Sequence, residues 1–148
     1  MIKVGVIGAG HLGKIHLNIL NKSEQYDLIG FHDNDQKNVL EIKKTKGYTH
    51  FESIEELIDA VDVVDIVTPT ISHYKIALMA INKGKNIFIE KPIASNLREA
   101  EKITSLAKKN RILGQVGHVE RFNPGFKSVI KSIKSPMFIE SHRLAEFN

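Results

Sequence analysis

Six residues, Gly8-Ala9-Gly10-His11-Leu12-Gly13, constrain the fold of this chain more than any other stretch. Before them, Ile2 to Ile7 is a short β-branched run. After them, Leu12, Ile15, His16, Ile19 and Leu20 recur at helical spacing, so a period of two gives way to a period of 3.6 at the glycines. A strand therefore turns directly into a helix. Gly8 permits the tight turn, Gly10 lets backbone come close to a ligand with no Cβ in the way, and Gly13 lets helix and strand pack closely.

The alternation continues along the chain. Tyr26 to His32 reads as a second strand, Asp35 to Lys46 as a polar helix stopped by Gly47, and Tyr48 to Phe51 as a brief third strand. Ser53 followed by Glu56 is a capping-box pattern for a helix whose apolar face is Ile54, Leu57 and Ile58. Val63 to Val67 is the fourth strand, ended by Thr68-Pro69-Thr70. Ile71, Tyr74, Ala77, Leu78 and Ile81 then mark the inner face of a helix closed by Gly84. Asn86 to Glu90 is the fifth strand. Asn96 and Glu99 cap a helix carrying Leu97, Ala100, Ile103, Leu106 and Ala107, and Arg111 to Val116 is the sixth strand. Six strands alternating with helices predict an α/β fold of the Rossmann kind, a doubly wound parallel sheet.

The last thirty residues follow another pattern. Gly117 to Asn123 is polar, Pro124 opens a short helix at its first position, and Met137 to Leu144 reads as one more strand after Ser135-Pro136. That strand has no evident partner, so it is expected to begin a truncated second α/β domain. The expected division is residues 1–118 as a nucleotide-binding domain, and residues 119–148 as an interdomain segment with the first strand of an otherwise absent domain for substrate and oligomer contacts.

Composition narrows the function classes. With 148 residues, of which 42% are hydrophobic and 26% charged, the chain suffices for one well-buried core. The absence of cysteine excludes disulfides and thiolate metal sites, and the seven histidines are dispersed with no H-E-x-x-H spacing, so no metal is expected. Met1 to Gly10 does not have the pattern of a signal peptide, and no run approaches the ~18 apolar residues of a membrane span; a cytoplasmic protein without a membrane partner is expected. The formal charge of +4 is spread thinly, with adjacent basic residues only at Lys43-Lys44 and Lys108-Lys109. Solvated helix faces account for such a pattern, and no nucleic-acid partner is expected.

The chemistry-bearing residues converge on one class of ligand. The glycine turn follows a strand, opens a helix and is succeeded by Asp33, twenty positions beyond Gly13, which is the arrangement that binds a nicotinamide dinucleotide. Helix N–H groups would meet the pyrophosphate, with His11 and Leu12 contributing backbone contacts. Asp33 is placed to accept from both adenosine ribose hydroxyls and to repel a 2′-phosphate, which favours NAD over NADP; Asn34 and Lys37 nearby soften that preference. Asp35 is either a neighbour of the ligand or a helix N-cap.

Thr68-Pro69 and Glu90-Lys91-Pro92 fall at the carboxyl ends of strands, the side of an open α/β sheet on which ligands bind. Lys91 emerges directly from a strand. It is read either as a partly desolvated lysine that holds a substrate hydroxyl and assists its deprotonation, or as a surface lysine before a turn. Glu90 orients Lys91 or caps backbone groups, and an X-Pro bond at Pro69 or Pro92 is a candidate for the cis form. His73 either borders the nicotinamide or caps the turn before it, and His16 reads as a packed or partly exposed histidine rather than a catalyst. Gln115, His118, Glu120, Arg121 and Asn123 form the densest polar cluster, either a functional loop or a solvated linker. The cofactor is thus expected to meet Gly8, Gly10, His11, Leu12, Gly13, Asp33, Thr68, Pro69, His73, Glu90, Lys91 and Gln115. Substrate is expected to meet Lys91, His118, Arg121 and Asn123.

Taken together, these residues resemble the glucose-fructose oxidoreductase and inositol dehydrogenase family, Gfo/Idh/MocA. The carriers are Val4-Gly5-Val6-Ile7-Gly8-Ala9-Gly10 with Gly13, Thr68-Pro69 with His73, Glu90-Lys91-Pro92, and Gly117-His118-Val119-Glu120-Arg121-Phe122-Asn123-Pro124. The resemblance implies an NAD(P)-dependent dehydrogenase acting on a sugar, nucleotide-sugar or cyclitol hydroxyl, with Lys91 touching both substrate and cofactor. It also implies a homo-oligomer built through a second domain that carries further catalytic groups. The segment from Gly117 to Pro124 is similar to members that oxidise nucleotide-linked amino sugars. A second reading, a non-catalytic module that binds or senses NAD(H), differs from the first in the role of Lys91.

Overall fold

A computed structural model of the chain describes residues 1–140 and 142. It divides into two compact units, Met1–Gly117 and His118–Asn148. In the first unit the order is β1 (Ile2–Ile7), α1 (His11–Asn21), β2 (Tyr26–His32), α2 (Gln36–Lys46), α3 (Ile54–Ala60), β3 (Val63–Ile66), α4 (Thr70–Asn82), β4 (Asn86–Ile89), α5 (Leu97–Lys109) and β5 (Gly114–Val116). All neighbouring strands pair in parallel, in the order β2-β1-β3-β4-β5. The chain winds outward from β1 to β2 and returns to β3 on the other side of β1. The order therefore reverses between β1 and β3, where an open α/β sheet leaves a crevice beyond its carboxyl ends.

Each sheet face buries its own apolar cluster. Ile7, Val64, Ile66, Ile87 and Ile89 pack with Leu57 and Ile58 of α3, Ile76, Ala77, Ala80 and Ile81 of α4, and Ile103 and Ala107 of α5. On the opposite side Val6 and Phe31 pack with Leu17 of α1 and with Val39 and Ile42 of α2. Side chains start the helices as anticipated: Asp35 accepts from the Lys37 N–H, Ser53 from the Glu56 N–H and Asn96 from the Glu99 N–H. Gly47 closes α2 at φ 68°.

The inner face of α1 differs from the one expected. Gly13 and Leu17 are buried, whereas Leu12, Ile15 and Ile19 are exposed. Gly13 decides this, because a Cβ there would lie 2.0 Å from the Gly8 carbonyl oxygen, so this position must face the strand. Leu17, four residues on, follows it inward, and Ile15 and Ile19 are carried outward. In α4, similarly, Ile71 is exposed and His73 is buried.

The sheet has five strands rather than six. Tyr48 to Phe51 makes a single bridge, His50 to Phe31, before Ser53 turns the chain into α3, too soon for a ladder. The last strand is shorter than expected, because Arg111 at φ 57° and the bond from the Ile112 N–H to the Ala107 carbonyl still belong to the end of α5. In the second unit a short 3₁₀ turn (Val119–Phe122) precedes α6 (Pro124–Ile130), which Asn123 caps through the Gly125 N–H. Met137 to Glu140 is not a strand, since no described residue of that unit offers a ladder to pair with. Of the remainder of that expected strand, Ser141, Arg143 and Leu144 lie outside the described residues. No helix among the described residues is long and apolar enough to cross a membrane.

Candidate functional site

The carboxyl ends of β1, β2 and β3 meet around the glycine turn. Gly8 adopts φ +95°, and a Cβ there would come within 2.7 Å of the Val67 carbonyl, so the turn after β3 presses against the turn after β1. Gly10 has nothing within 4 Å of its Cβ position. It precedes α1 without a side-chain cap, and the first turn carries no acidic residue. The leading N–H groups of α1 thus face an open cradle, with the dipole sign that suits a phosphate.

Asp33 completes this corner. The Ala9 N–H donates to its Oδ2 at 2.5 Å and the Asp35 N–H to its Oδ1 at 2.7 Å. Each oxygen keeps a lone pair for a further donor. Asp35 is the N-cap of α2, accepting from the Lys37 N–H at 2.9 Å. A cavity of about 740 Å³ opens here, bordered by Gly8, His32, Asp33, Ser53, Thr68 and Lys75 among others. Thr68 Oγ1, on this border, is buried with no hydrogen-bond partner among the described residues. An open glycine cradle, uncapped amides, a half-satisfied carboxylate and an orphaned hydroxyl together suit a ligand bearing phosphates and ribose hydroxyls. A second cavity, about 300 Å³, lies under β5 against Ile103 and Ala107 of α5; it is apolar and apart from these groups.

The turn after β4 stands beside the turn after β3. His73 is 1% exposed, with Nε2 2.8 Å from the Thr68 carbonyl oxygen and Nδ1 3.0 Å from that of Pro92, so it ties the two turns together from behind. The Lys91–Pro92 peptide is cis. The Lys91 N–H donates to Glu90 Oε2 at 3.1 Å, while the Lys91 side chain is exposed and has no hydrogen-bond or ion-pair partner among the described residues. Glu90 is 6% exposed, and its carboxylate occupies the space a side chain at Gly117 would need.

Behind Glu90 lies a group of charges that motif reading did not assemble. His16 Nδ1 is 2.9 Å from Asp65 Oδ2 and its Nε2 is 3.5 Å from Glu90 Oε1, with the ring edge-on to Phe88. The hydrogen bond to Asp65 raises the His16 pKa above its ordinary value against the lowering effect of burial, and the charges of Asp65 and Glu90 raise it further. Burial pushes the Asp65 carboxyl up despite its bond to His16. The signal in the sequence is Asp65 itself, a carboxylate inside an apolar strand run that requires a partner once buried.

Not every expected site residue reaches this edge by its side chain. His11 and Leu12 are exposed at the start of α1, and Gln115 is exposed on β5, paired with Phe88. His118, Arg121 and Asn123 fall in the second unit, where the Asn123 amide donates to Glu120 Oε2 at 2.9 Å and its oxygen caps α6.

A doubly wound sheet with a glycine phosphate cradle and a carboxylate at the end of β2 defines a dinucleotide-binding protein. Residues 2–118 match the Gfo/Idh/MocA oxidoreductase family with its NAD-binding Rossmann fold, and the chain belongs to that family. It is 31% identical over 147 residues to a UDP-N-acetylglucosamine 3-dehydrogenase of Acidithiobacillus ferrooxidans, covering 99% of this chain and 46% of that protein. The solved structure of the Acidithiobacillus ferrooxidans enzyme is similar with a TM-score of 0.82 at 30% identity, over 88% of this chain and 43% of that one. A glucose-6-phosphate 3-dehydrogenase of Bacillus subtilis is 33% identical over 135 residues, 91% of this chain and 37% of that protein. The apo scyllo-inositol dehydrogenase structure from Lactobacillus casei gives a TM-score of 0.80 at 28% identity, over 89% of this chain and 41% of that one. The chain thus spans less than half the length of these relatives, matching their dinucleotide-binding part.

Proposed function

We propose that this chain is the cofactor-binding part of an NAD(P)-dependent dehydrogenase that oxidises a sugar, nucleotide-sugar or cyclitol hydroxyl, with NAD preferred and NADP the alternative. The observation that carries the reading is the joining of Asp33 to the glycine turn by the Ala9 N–H, which sets the ribose acceptor and the phosphate cradle at one distance from each other. Asp33 receives the adenosine ribose hydroxyls with its free lone pairs, and the N–H groups from Gly10 through Gly13 receive the pyrophosphate. A bound nicotinamide ring supplies the hydride acceptor.

Lys91 stands just past the carboxyl end of β4, its side-chain amine without a partner among the described residues. It holds the substrate hydroxyl and, as the neutral amine, takes its proton, the role of a positioned acid–base group. Thr68, Pro69 and Glu90 border the ligand, His73 fixes the turns that carry Thr68 and Lys91, and His118, Arg121 and Asn123 are assigned to the substrate. The substrate class rests on the relatives, which are named for UDP-N-acetylglucosamine, glucose 6-phosphate and scyllo-inositol.

Parallel titrations with NADH and NADPH, followed by nicotinamide fluorescence, test this reading; the chain has no tryptophan to interfere. Saturable NADH binding that weakens about 10- to 100-fold in Asp33→Ala is expected, the range for losing hydrogen bonds to a charged group. Equal binding by Asp33→Ala, or no binding of either nucleotide, overturns it.

A further inference from the structure

We propose that His16 is a positioning residue for Lys91: by bridging the carboxylates of Asp65 and Glu90 it ties the Glu90-Lys91-Pro92 turn to helix α1. The inference rests on the reading of Lys91 given above, and adds a residue and a pH dependence to it.

The geometry leads from the helix to the lysine in three contacts. Asp65, in β3, and Glu90, just past β4, are 5% and 6% exposed, and they meet on one face of the sheet because Asp65 pairs with Phe88 in register. Among the described residues, His16 is the only side chain able to carry positive charge within 4.0 Å of either carboxylate. Two buried carboxylates so placed repel each other, and a cation shared between them offsets that repulsion. His16 presents one ring nitrogen to each, at 2.9 Å and 3.5 Å.

What His16 does to Glu90 is passed on to Lys91. Glu90 Oε1 faces the imidazole while Oε2 accepts the Lys91 N–H at 3.1 Å, and the same carboxylate is packed against Gly117. Turning the carboxylate therefore breaks its bond to the Lys91 N–H or draws the Lys91 backbone with it. His16 also lies six residues past Gly10, about 9 Å along the axis of the helix whose N-terminus faces the phosphates. The cluster thus sets the position of the lysine relative to the cofactor cradle through side chains, independently of the strands.

The charge state of His16 controls this tie. An imidazolium donates from both nitrogens, whereas neutral imidazole donates from one only. When the ring loses its proton, Asp65 keeps the Nδ1 donor and Glu90 loses its charge partner. The Lys91 turn is then released from α1 while the rest of the sheet stays in place. The titratable groups facing the ring are Asp65 from β3 and Glu90 from the end of β4; the remaining neighbour from β4 is Phe88.

The test uses the whole chain, isotopically labelled and without cofactor. The His16 ring nitrogens and the Lys91 backbone amide are followed by NMR from about pH 5 to pH 9, a range centred near the ordinary histidine value. The expected result is a His16 midpoint above that value, with the Lys91 amide shifting at the same midpoint. In Glu90→Gln the His16 midpoint falls, because one nearby opposite charge is removed. The Lys91 amide then no longer follows the ring, and in His16→Gln it shows no inflection in this range. A Lys91 amide that stays still through the His16 midpoint in the unmodified chain overturns the proposal, as does one that keeps its inflection in His16→Gln. Should His16→Gln fail to fold, the unmodified chain and Glu90→Gln decide between these outcomes. Because no nucleotide is present, coupling without NADH binding would remove the dehydrogenase reading alone, and NADH binding without coupling would remove the role of His16 alone.

Discussion

Asp33 accepts two backbone N–H groups before any ligand is present, so its carboxylate has a fixed direction and needs little reorganisation to bind a ribose. Lys91 is the opposite case, exposed at its ammonium and held only through its backbone. The two residues have separable tasks. Lys91→Met should leave NADH affinity within about twofold, while turnover by the protein carrying a second domain falls about 100-fold or more, the usual worth of a positioned acid–base group. Unchanged turnover would return Lys91 to the surface-lysine reading and favour a module that only binds NAD(H). The places of Asp33 and Lys91 just past β2 and β4 are legible in the sequence because each sits at a fixed offset from a local turn motif. The partners of His16 were not, since its bond to Asp65 spans 49 residues and only the folding of α1 onto the sheet brings the two together.

At the scale of elements, periodicity places β1 to β5 and all the long helices, but not which way each helix faces. For α1 the contest lay between a stripe of Leu12, Ile15 and Ile19 and the steric demand at Gly13; the glycine prevails because backbone sits 2.0 Å from its Cβ position. Leu17→Ala is therefore expected to cost about 2–5 kcal/mol in urea unfolding, as for a fully buried leucine, and Ile19→Ala about 0.5 kcal/mol or less. The reverse order would restore the other face. Gly13→Ala should be as damaging as Leu17→Ala although it adds a single methyl group, because neither contacting backbone has room to move. The strands misread from sequence fail for different reasons: Tyr48 to Phe51 bridges β2 at His50 but is cut short by the turn into α3, whereas Met137 to Glu140 has residues that favour extended backbone but no described strand to pair with.

For the molecule as a whole, the charges behind the Lys91 turn connect stability to pH. The folded-state pKa of His16 is raised, first by its bond to Asp65. A group so shifted contributes stability in full below its unfolded value of about 6.5, and that contribution is lost as pH rises through the folded value. The Asp65 carboxyl, raised by burial, acts with the same sign, since its ionisation is harder in the fold than in the unfolded chain. Thermal unfolding should thus show the advantage of the unmodified chain over His16→Gln shrinking from about pH 6 to pH 9; an advantage that grows would reverse the assignment. The central claim, that a dinucleotide lies across the carboxyl ends of β1, β2 and β3, is tested most directly by mapping amide chemical shifts on addition of NAD. The largest changes are expected at Gly8 to Gly13, Asp33 and Thr68, with smaller ones at Lys91. Changes confined to the apolar cavity beneath β5, around Ile103 and Ala107, with the glycine turn unmoved, would contradict it.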